Sequence, residues 1–484
     1  MTAPATGTQH QRRRALRDIV LQLALRVVNL VLVLAVTVLL VRTLGQERFG
    51  QWATILTVYQ LMGSLTTLGM EGVAIREAAA RPEEERTWVS ALLVARLALS
   101  VPALVVGAAV MLAIHESGVM LVAALVVLAQ LPLSAGLSLQ VTHQLRLRNV
   151  VPMLVMAGQT VLWGGVVVVV ELLDGDLLPL AVGLTATTAL ASAVQALLSA
   201  RTTPLSLHSS REALRRLFRT GGMFGLGAMV VIAYGSIDQI IVFESAGSRD
   251  AGLYAVAYRF FTTAQFIPTA VMATVAPLLA RAWPADRGGM ARVVMRATEL
   301  MSIPALGSLA IVLVAADPIV RLVVGDEFAP AAKAVPVLVA AFALACVGYL
   351  TTNILLVIGQ TRRQFVAAFA GLVVNVAANL VLVPRYGFVA AAWVTLGTEV
   401  LVTGLCLWQI ARLTHARGIP VGRVPRVVLA AGALWAALAL ADGVGLPLGA
   451  LIALAAAVYP LLLLALRVIG TRELRMLLPL RALG

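Results

Sequence analysis

Apolar runs of about twenty residues recur along the whole of this chain, and they constrain what it can fold into more than any other feature. A helix needs about 20 mostly apolar residues to cross the hydrocarbon layer of a bilayer. Fourteen runs meet that requirement, with edges good to a few residues: 19–41, 50–69, 88–113, 118–141, 150–170, 177–199, 220–243, 251–280, 297–315, 333–357, 364–383, 387–411, 427–441 and 446–467. Only 12% of the residues are charged, against roughly 25% in a soluble domain. Lipid must therefore be the solvent for much of the surface. The expected fold is an all-α polytopic membrane protein with about 14 transmembrane helices.

Charge placement orients the spans. The formal net charge is +14, and all but one of the 37 basic residues are arginine. With the N-terminus placed in the cytoplasm, 28 of the 37 fall in cytoplasmic segments, six outside and three (Arg26, Arg96 and Arg259) within spans. This alternation is the positive-inside pattern, and it predicts an even number of spans with both termini cytoplasmic. The basic residues lie in short connections rather than in a separate domain, which argues against nucleic-acid binding. Residues 1–18 read as a polar cytoplasmic tail, and the first run as an uncleaved span rather than a signal peptide. Cys346 and Cys406 sit inside apolar runs with no metal-ligand spacing and behave as small hydrophobes.

A repeat with an offset of 202 residues organises the chain. Leu44-Gly45-Gln46-Glu47-Arg48-Phe49-Gly50-Gln51-Trp52-Ala53 aligns with Ala246-Gly247-Ser248-Arg249-Asp250-Ala251-Gly252-Leu253-Tyr254-Ala255. The glycines suit tight turns, and the aromatics are expected at the membrane interface. The offset covers six spans, an even number, so both copies keep one orientation. The expected organisation is an N-lobe over 19–205, a C-lobe over 206–415, and two additional helices with a cytoplasmic tail over 416–484. The two six-helix lobes are pseudo-symmetric.

Polar and ionisable groups within spans are costly and mark candidate sites. Gln22, Arg26, Asn29 and Thr37 share one helical face, as do Thr57, Gln60, Ser64 and Thr67, and then Tyr254, Tyr258, Thr262, Gln265 and Thr269 beside Arg259. Asn375 and Asn379 lie one turn apart. Such stripes line a wet cavity or join helices. Arg26, Asn29, Gln60, Arg96, Arg259 and Gln265 are the candidate substrate-binding residues. The alternatives for the arginines are snorkelling to headgroups or pairing with a buried acid. Asp238 and Glu399, acids within spans, are candidates for coupling to a proton or sodium ion, with a structural ion pair as the alternative. No catalytic residue, metal site or cofactor is expected.

Several motifs then resemble a known family. Leu40-Val41-Arg42-Thr43-Leu44-Gly45, Phe49-Gly50-Gln51-Trp52-Ala53, Leu68-Gly69 and Ile75-Arg76-Glu77-Ala78-Ala79 are similar to the opening of polysaccharide and O-antigen flippases. These belong to the multidrug/oligosaccharidyl-lipid/polysaccharide exporter superfamily. Asp238-Gln239-Ile240, Gly252 to Tyr258, Pro277-Leu278-Leu279, Val324 to Phe328, Leu355 to Gln360 and Asn375 to Gly387 agree with it. The resemblance implies a flippase that moves a polyprenyl-pyrophosphate-linked oligosaccharide across the cytoplasmic (inner) membrane of a bacterium by alternating access. It also implies cationic cavity residues on the first and eighth helices, where Arg26 and Arg259 stand. Guanidinium groups would meet the pyrophosphate through bidentate, charge-assisted hydrogen bonds.

The expected partners are that lipid-linked sugar, membrane lipids and a coupling H+ or Na+, with the protein a monomer. The alternatives are a lipid-linked peptidoglycan precursor flippase and a multidrug or cation antiporter of the same superfamily. A membrane enzyme is not favoured: the longest outer connection, about 316–332, carries Asp317, Arg321, Asp326 and Glu327 without a catalytic constellation. The chain also lacks the Gly-x-x-x-x-Gly-Lys-Ser/Thr phosphate loop.

Overall fold

In the computed structural model, the structure describes residues 6–114, 118–204, 206, 209–414 and 422–468. Every regular element among them is helical. Eleven helical segments are long and apolar enough to cross a membrane. Helix is what such a sequence must adopt in lipid, because no water is there to satisfy a backbone N–H or C=O left unpaired.

The chain divides into two compact units, Met1–Ser236 and Ile237–Gly484. The first holds α1 (Thr6–Thr67), α2 (Met70–Ala80), α3 (Glu85–Ala113), α4 (Val119–Leu128), α5 (Gln130–Leu133), α6 (Val141–Leu145), α7 (Val150–Leu172), α8 (Leu177–Ala200) and α9 (Arg211–Tyr234). A 3-10 stretch, Ser134–Gln140, leads into α6. The core of this unit joins Met70, Val73 and Ala74 of α2, Trp88, Leu92 and Ala95 of α3, Val141 of α6 and Leu217 of α9. Outside it, Val101, Val105 and Leu112 of α3 are exposed, an apolar face that only lipid can cover.

The second unit holds α10 (Ile237–Ala264), α11 (Phe266–Ala282), α12 (Arg287–Val324), α13 (Val335–Val357), α14 (Thr361–Thr414), α15 (Val424–Gly443) and α16 (Leu448–Ala465). The C-terminal pair packs on α12: Leu434 and Leu438 of α15 and Leu451 of α16 close over Ala310. Two polar ties fix the pair. The Tyr459 hydroxyl donates to the Ile303 carbonyl at 2.7 Å, its ring lying where Gly307 leaves room. Glu299 accepts the Arg423 backbone N–H at 2.8 Å and pairs with Arg296 at 3.2 Å.

Three long elements break at glycine. Gly45 in α1 has φ 65°, ψ −178°; Gly247 in α10 has φ 90°, ψ 171°; Gly387 in α14 has φ 64°, ψ −157°. This extended conformation at positive φ belongs essentially to glycine. The two glycines matched by the 202-residue repeat thus turn the chain in the same way. Trp52 and Tyr254 are both buried. Trp52 stacks on Trp163 of α7 with centroids 5.9 Å apart, and Tyr254 stacks on Tyr258 at 5.5 Å. Each ring is placed on the inward face of its helix.

Candidate substrate site

In the first unit, the polar stripe of α1 borders a chamber of about 570 Å³. Gln22 and Asn29 reach it from α1, Gln140 from the end of the 3-10 stretch, Gln144 from α6 and Asn149 from the start of α7. Leu25, Ile75, Met153 and Met156 supply the apolar part of the lining. Asn29 is steadied by Thr160 of α7, whose hydroxyl donates to its Oδ1 at 3.0 Å. Gln140 donates from Nε2 to Glu71 Oε2 at 3.3 Å. Arg26 lies on the helical backbone of α1, but its side chain is outside the described residues.

Arg96 of α3 is engaged elsewhere. Its Nη1 meets Glu71 Oε1 at 3.2 Å, a contact that ties α3 to α2 and fixes the carboxylate that holds Gln140. Gln60 is exposed on the second half of α1. Its stripe companions are satisfied within their own helix: Thr57 donates to the Ala53 carbonyl at 2.8 Å, Ser64 to Leu61 at 2.6 Å and Thr67 to Ser64 at 3.1 Å. Hydroxyls bonded back to the preceding turn have little left to offer a ligand. Among the described residues, the Gln60 amide has no hydrogen-bond partner.

In the second unit, the stripe on α10 and α11 runs from buried to open. Tyr254 is buried, Tyr258 and Thr262 are half-buried, and Gln265 and Thr269 are exposed. Arg259 is also exposed. Its guanidinium has no hydrogen-bond or ion-pair partner among the described residues, while its carbonyl accepts from Thr262. It lies twelve residues beyond the break at Gly247, about 18 Å along a helix.

Asp238 heads a buried polar cluster on the same helix. One carboxylate oxygen accepts from the Tyr254 hydroxyl and from Thr395 of α14 at 3.1 Å, and the other from the Gln239 backbone N–H at 3.0 Å. Its partners among the described residues are hydroxyls and an amide, and none is a cation. Glu399 is buried one turn beyond Thr395, with Oε2 against the Gly348 face of α13. Asn375 and Asn379 are fully buried on α14: Asn379 donates to the carbonyl and side-chain oxygen of Asn375, both at 3.0 Å, and its own Oδ1 has no partner.

The sequence did not single out Gln140, Gln144, Asn149 or Thr395. Gln140 and Gln144 stand one turn apart, which is a readable signal. Asn149 stands at a helix start, and Thr395 needs tertiary packing to meet Asp238.

The fold is shared with solved transport proteins. It aligns with a structure described as lipid II flippase MurJ, inward closed conformation, at TM-score 0.71 and 11% identity, over 95% of this chain and 100% of that one. An inward-facing multidrug resistance MATE family transporter of the MOP superfamily aligns at TM-score 0.65 and 16% identity, over 80% and 95%. A MATE structure in complex with MaL6 aligns at 0.54 and 16%, over 82% and 94%. No curated protein sequence matches the chain. The fold defines a multi-pass helical membrane protein. The sequence model of the family described as polysaccharide biosynthesis protein matches residues 39–333, more than half of the chain, and the chain belongs to that family. The resemblance drawn from the sequence motifs is thereby borne out.

Proposed function

We propose that this protein moves a polyprenyl-pyrophosphate-linked oligosaccharide across the bacterial cytoplasmic membrane by alternating access, for cell-surface polysaccharide synthesis. The observation that supports this most is Arg259, a guanidinium without a partner among the described residues, exposed near the centre of an apolar span. Such a group costs about +2.5 to +3.5 kcal/mol to insert. With no partner among the described residues, it has a reason to be there if it meets an anion that must itself leave water. Pyrophosphate is such an anion, and a guanidinium binds it through two parallel hydrogen bonds. Arg26, Asn29, Gln60 and Gln265 complete the substrate-binding set, and Arg96 supports it by holding Glu71.

The topology we propose has fourteen crossings with both termini in the cytoplasm. Three of the eleven spanning segments are 54, 58 and 53 residues long. A straight helix of that length would extend roughly 80 Å, well over twice the ~30 Å hydrocarbon thickness. Each contains one of the breaks at Gly45, Gly247 and Gly387, all in connections that the arginine distribution places outside. Taking each as a pair of crossings gives the fourteen. Asp238 is the favoured coupling residue, with Glu399 second, because its buried carboxylate is held by neutral groups that leave its charge for an ion.

A second reading, transport of the lipid-linked peptidoglycan precursor, is favoured by the full-length fold match to a lipid II flippase. The test is reconstitution in liposomes, following access of an added lectin to the sugar of a polyprenyl-pyrophosphate oligosaccharide. We expect the protected inner fraction to become accessible faster than in protein-free vesicles. Equal rates would remove the proposal. Faster movement of a muramyl-peptide lipid than of the oligosaccharide lipid would favour the second reading, and efflux of a cationic dye with neither lipid moving would point to an antiporter.

A further inference from the structure

We propose that the basic pocket where the two ends of α14 meet binds the headgroup of an anionic, hydroxyl-bearing phospholipid such as phosphatidylglycerol; this does not rest on the transport reading above. The break at Gly387 returns the chain to the side from which α14 starts. Arg362, Arg363 and Val366 of the first half and Trp408, Gln409 and Arg412 of the second thereby line one pocket of about 550 Å³. All three arginines are exposed, and no guanidinium among them has an ion-pair or hydrogen-bond partner among the described residues. The lining holds no carboxylate. The next residues in the sequence, His415 to Val421, add Arg417 and no acid.

Three features set this pocket apart from a patch of solvated charge. Arg362 and Arg363 stand in the first turn of α14, where the helix dipole favours anions over cations, so the helix itself does not explain them. Arg412 is stacked on Trp408, its Cζ 4.2 Å from the ring centroid. That contact holds the planar guanidinium and leaves the N–H groups at its edge free to make paired hydrogen bonds to a phosphate. Gln409 is 7% exposed, and its Oε1 has no hydrogen-bond partner among the described residues. An amide oxygen needs a donor. A glycerol headgroup has hydroxyls to give, and a bare phosphodiester has none.

The surroundings supply the rest of a lipid site. Val366, Phe369 and Val373 are exposed on one face of the first half of α14, and Val400 and Trp408 are exposed on the second. Apolar surface thus leads away from the arginines along both halves, where acyl chains would lie. The charge pattern assigns Arg362, Arg363 and Arg412 to the cytoplasmic side, and basic pockets between spans on that side suit anionic headgroups. A zwitterionic lipid would bring its ammonium against three guanidinium groups. The volume lies within the ~300–1,000 Å³ range of small-ligand sites, and one headgroup seated there would bridge the start and the end of α14.

The test uses the full chain in detergent micelles, read by native mass spectrometry. Phosphatidylglycerol, phosphatidylcholine and a polyprenyl pyrophosphate are added singly, and inorganic phosphate is added as a competitor. We expect phosphatidylglycerol to be retained about ten-fold better than phosphatidylcholine. Combining Arg363→Gln with Arg412→Gln should weaken its retention about ten-fold or more, the loss of charge-assisted hydrogen bonds. Trp408→Leu keeps all three charges and should weaken retention several-fold, which gives a second reading if the double variant does not fold. Arg201→Gln with Arg211→Gln removes the same charge from the first unit and should leave retention unchanged. Equal retention of phosphatidylcholine, or equal losses in the two double variants, overturns the site. Full displacement by inorganic phosphate would make it a free-anion site. Tighter retention of the polyprenyl pyrophosphate, lost with Arg363 and Arg412, would make it part of the cargo path. Either result overturns the phospholipid as its occupant.

Discussion

Replacing Arg259 by leucine should raise stability and abolish transport together, and the opposed signs follow from its surroundings. The guanidinium has no partner among the described residues, so its removal orphans no buried group. On insertion scales an arginine at a helix centre costs about +2.5 to +3.5 kcal/mol and a leucine gains about 0.3 to 0.6. The span should therefore be favoured by up to about 3–4 kcal/mol, less whatever water in a cavity now provides. Transport moves the other way. Two charge-assisted hydrogen bonds of about 1.5–3 kcal/mol each correspond to a loss of roughly 100-fold or more. Arg259→Lys keeps the charge but not the planar fork, and should recover only part of the rate. The assay pairs thermal unfolding in detergent with lipid translocation in vesicles. A lower melting temperature for Arg259→Leu would mean that the side chain has a structural partner. Translocation within about two-fold of wild type would refute its role at the pyrophosphate.

Other outcomes follow from named contacts. Gly225→Ala should destabilise the first unit by about 1–3 kcal/mol, because a Cβ there would lie 2.3 Å from the Leu68 backbone; a melting curve matching wild type would contradict this. Asp238→Asn should leave the fold intact while removing the dependence of transport on a Na+ or pH gradient, read by translocation with and without each gradient. Glu299→Ala should loosen α15, since the Arg423 N–H loses its acceptor at a cost of about 1–3 kcal/mol; hydrogen exchange across Val424–Gly443 would speed up, whereas exchange over Glu85–Ala113 would not.

Much of the architecture was legible because lipid imposes a simple grammar. Runs of apolar residues had to be helices, and the repeated glycines at Gly45 and Gly247 marked turns whose backbone belongs essentially to glycine. The faces of those helices were harder to read. Trp52 and Tyr254 both point into packing, and a linear match carries no information about rotation around the helix. Arg96 shows the same limit: its partner Glu71 lies 25 positions away, and no local spacing links them. Among the candidate residues, the stripe containing Gln22 and Asn29 was visible as a period. Its companions Gln144 and Asn149 sit where a span runs out into a basic connection, a place where polar residues arouse no suspicion.

The hold that Tyr459 keeps on the Ile303 carbonyl has a practical corollary. With its ring seated in the space left by Gly307 and its hydroxyl bonded to the main chain, α16 cannot slide along α12 without breaking both at once. The C-terminal pair is thus a passenger of α12, and a spectroscopic label on the outer face of α16 would report the excursions of α12 without a single substitution inside it.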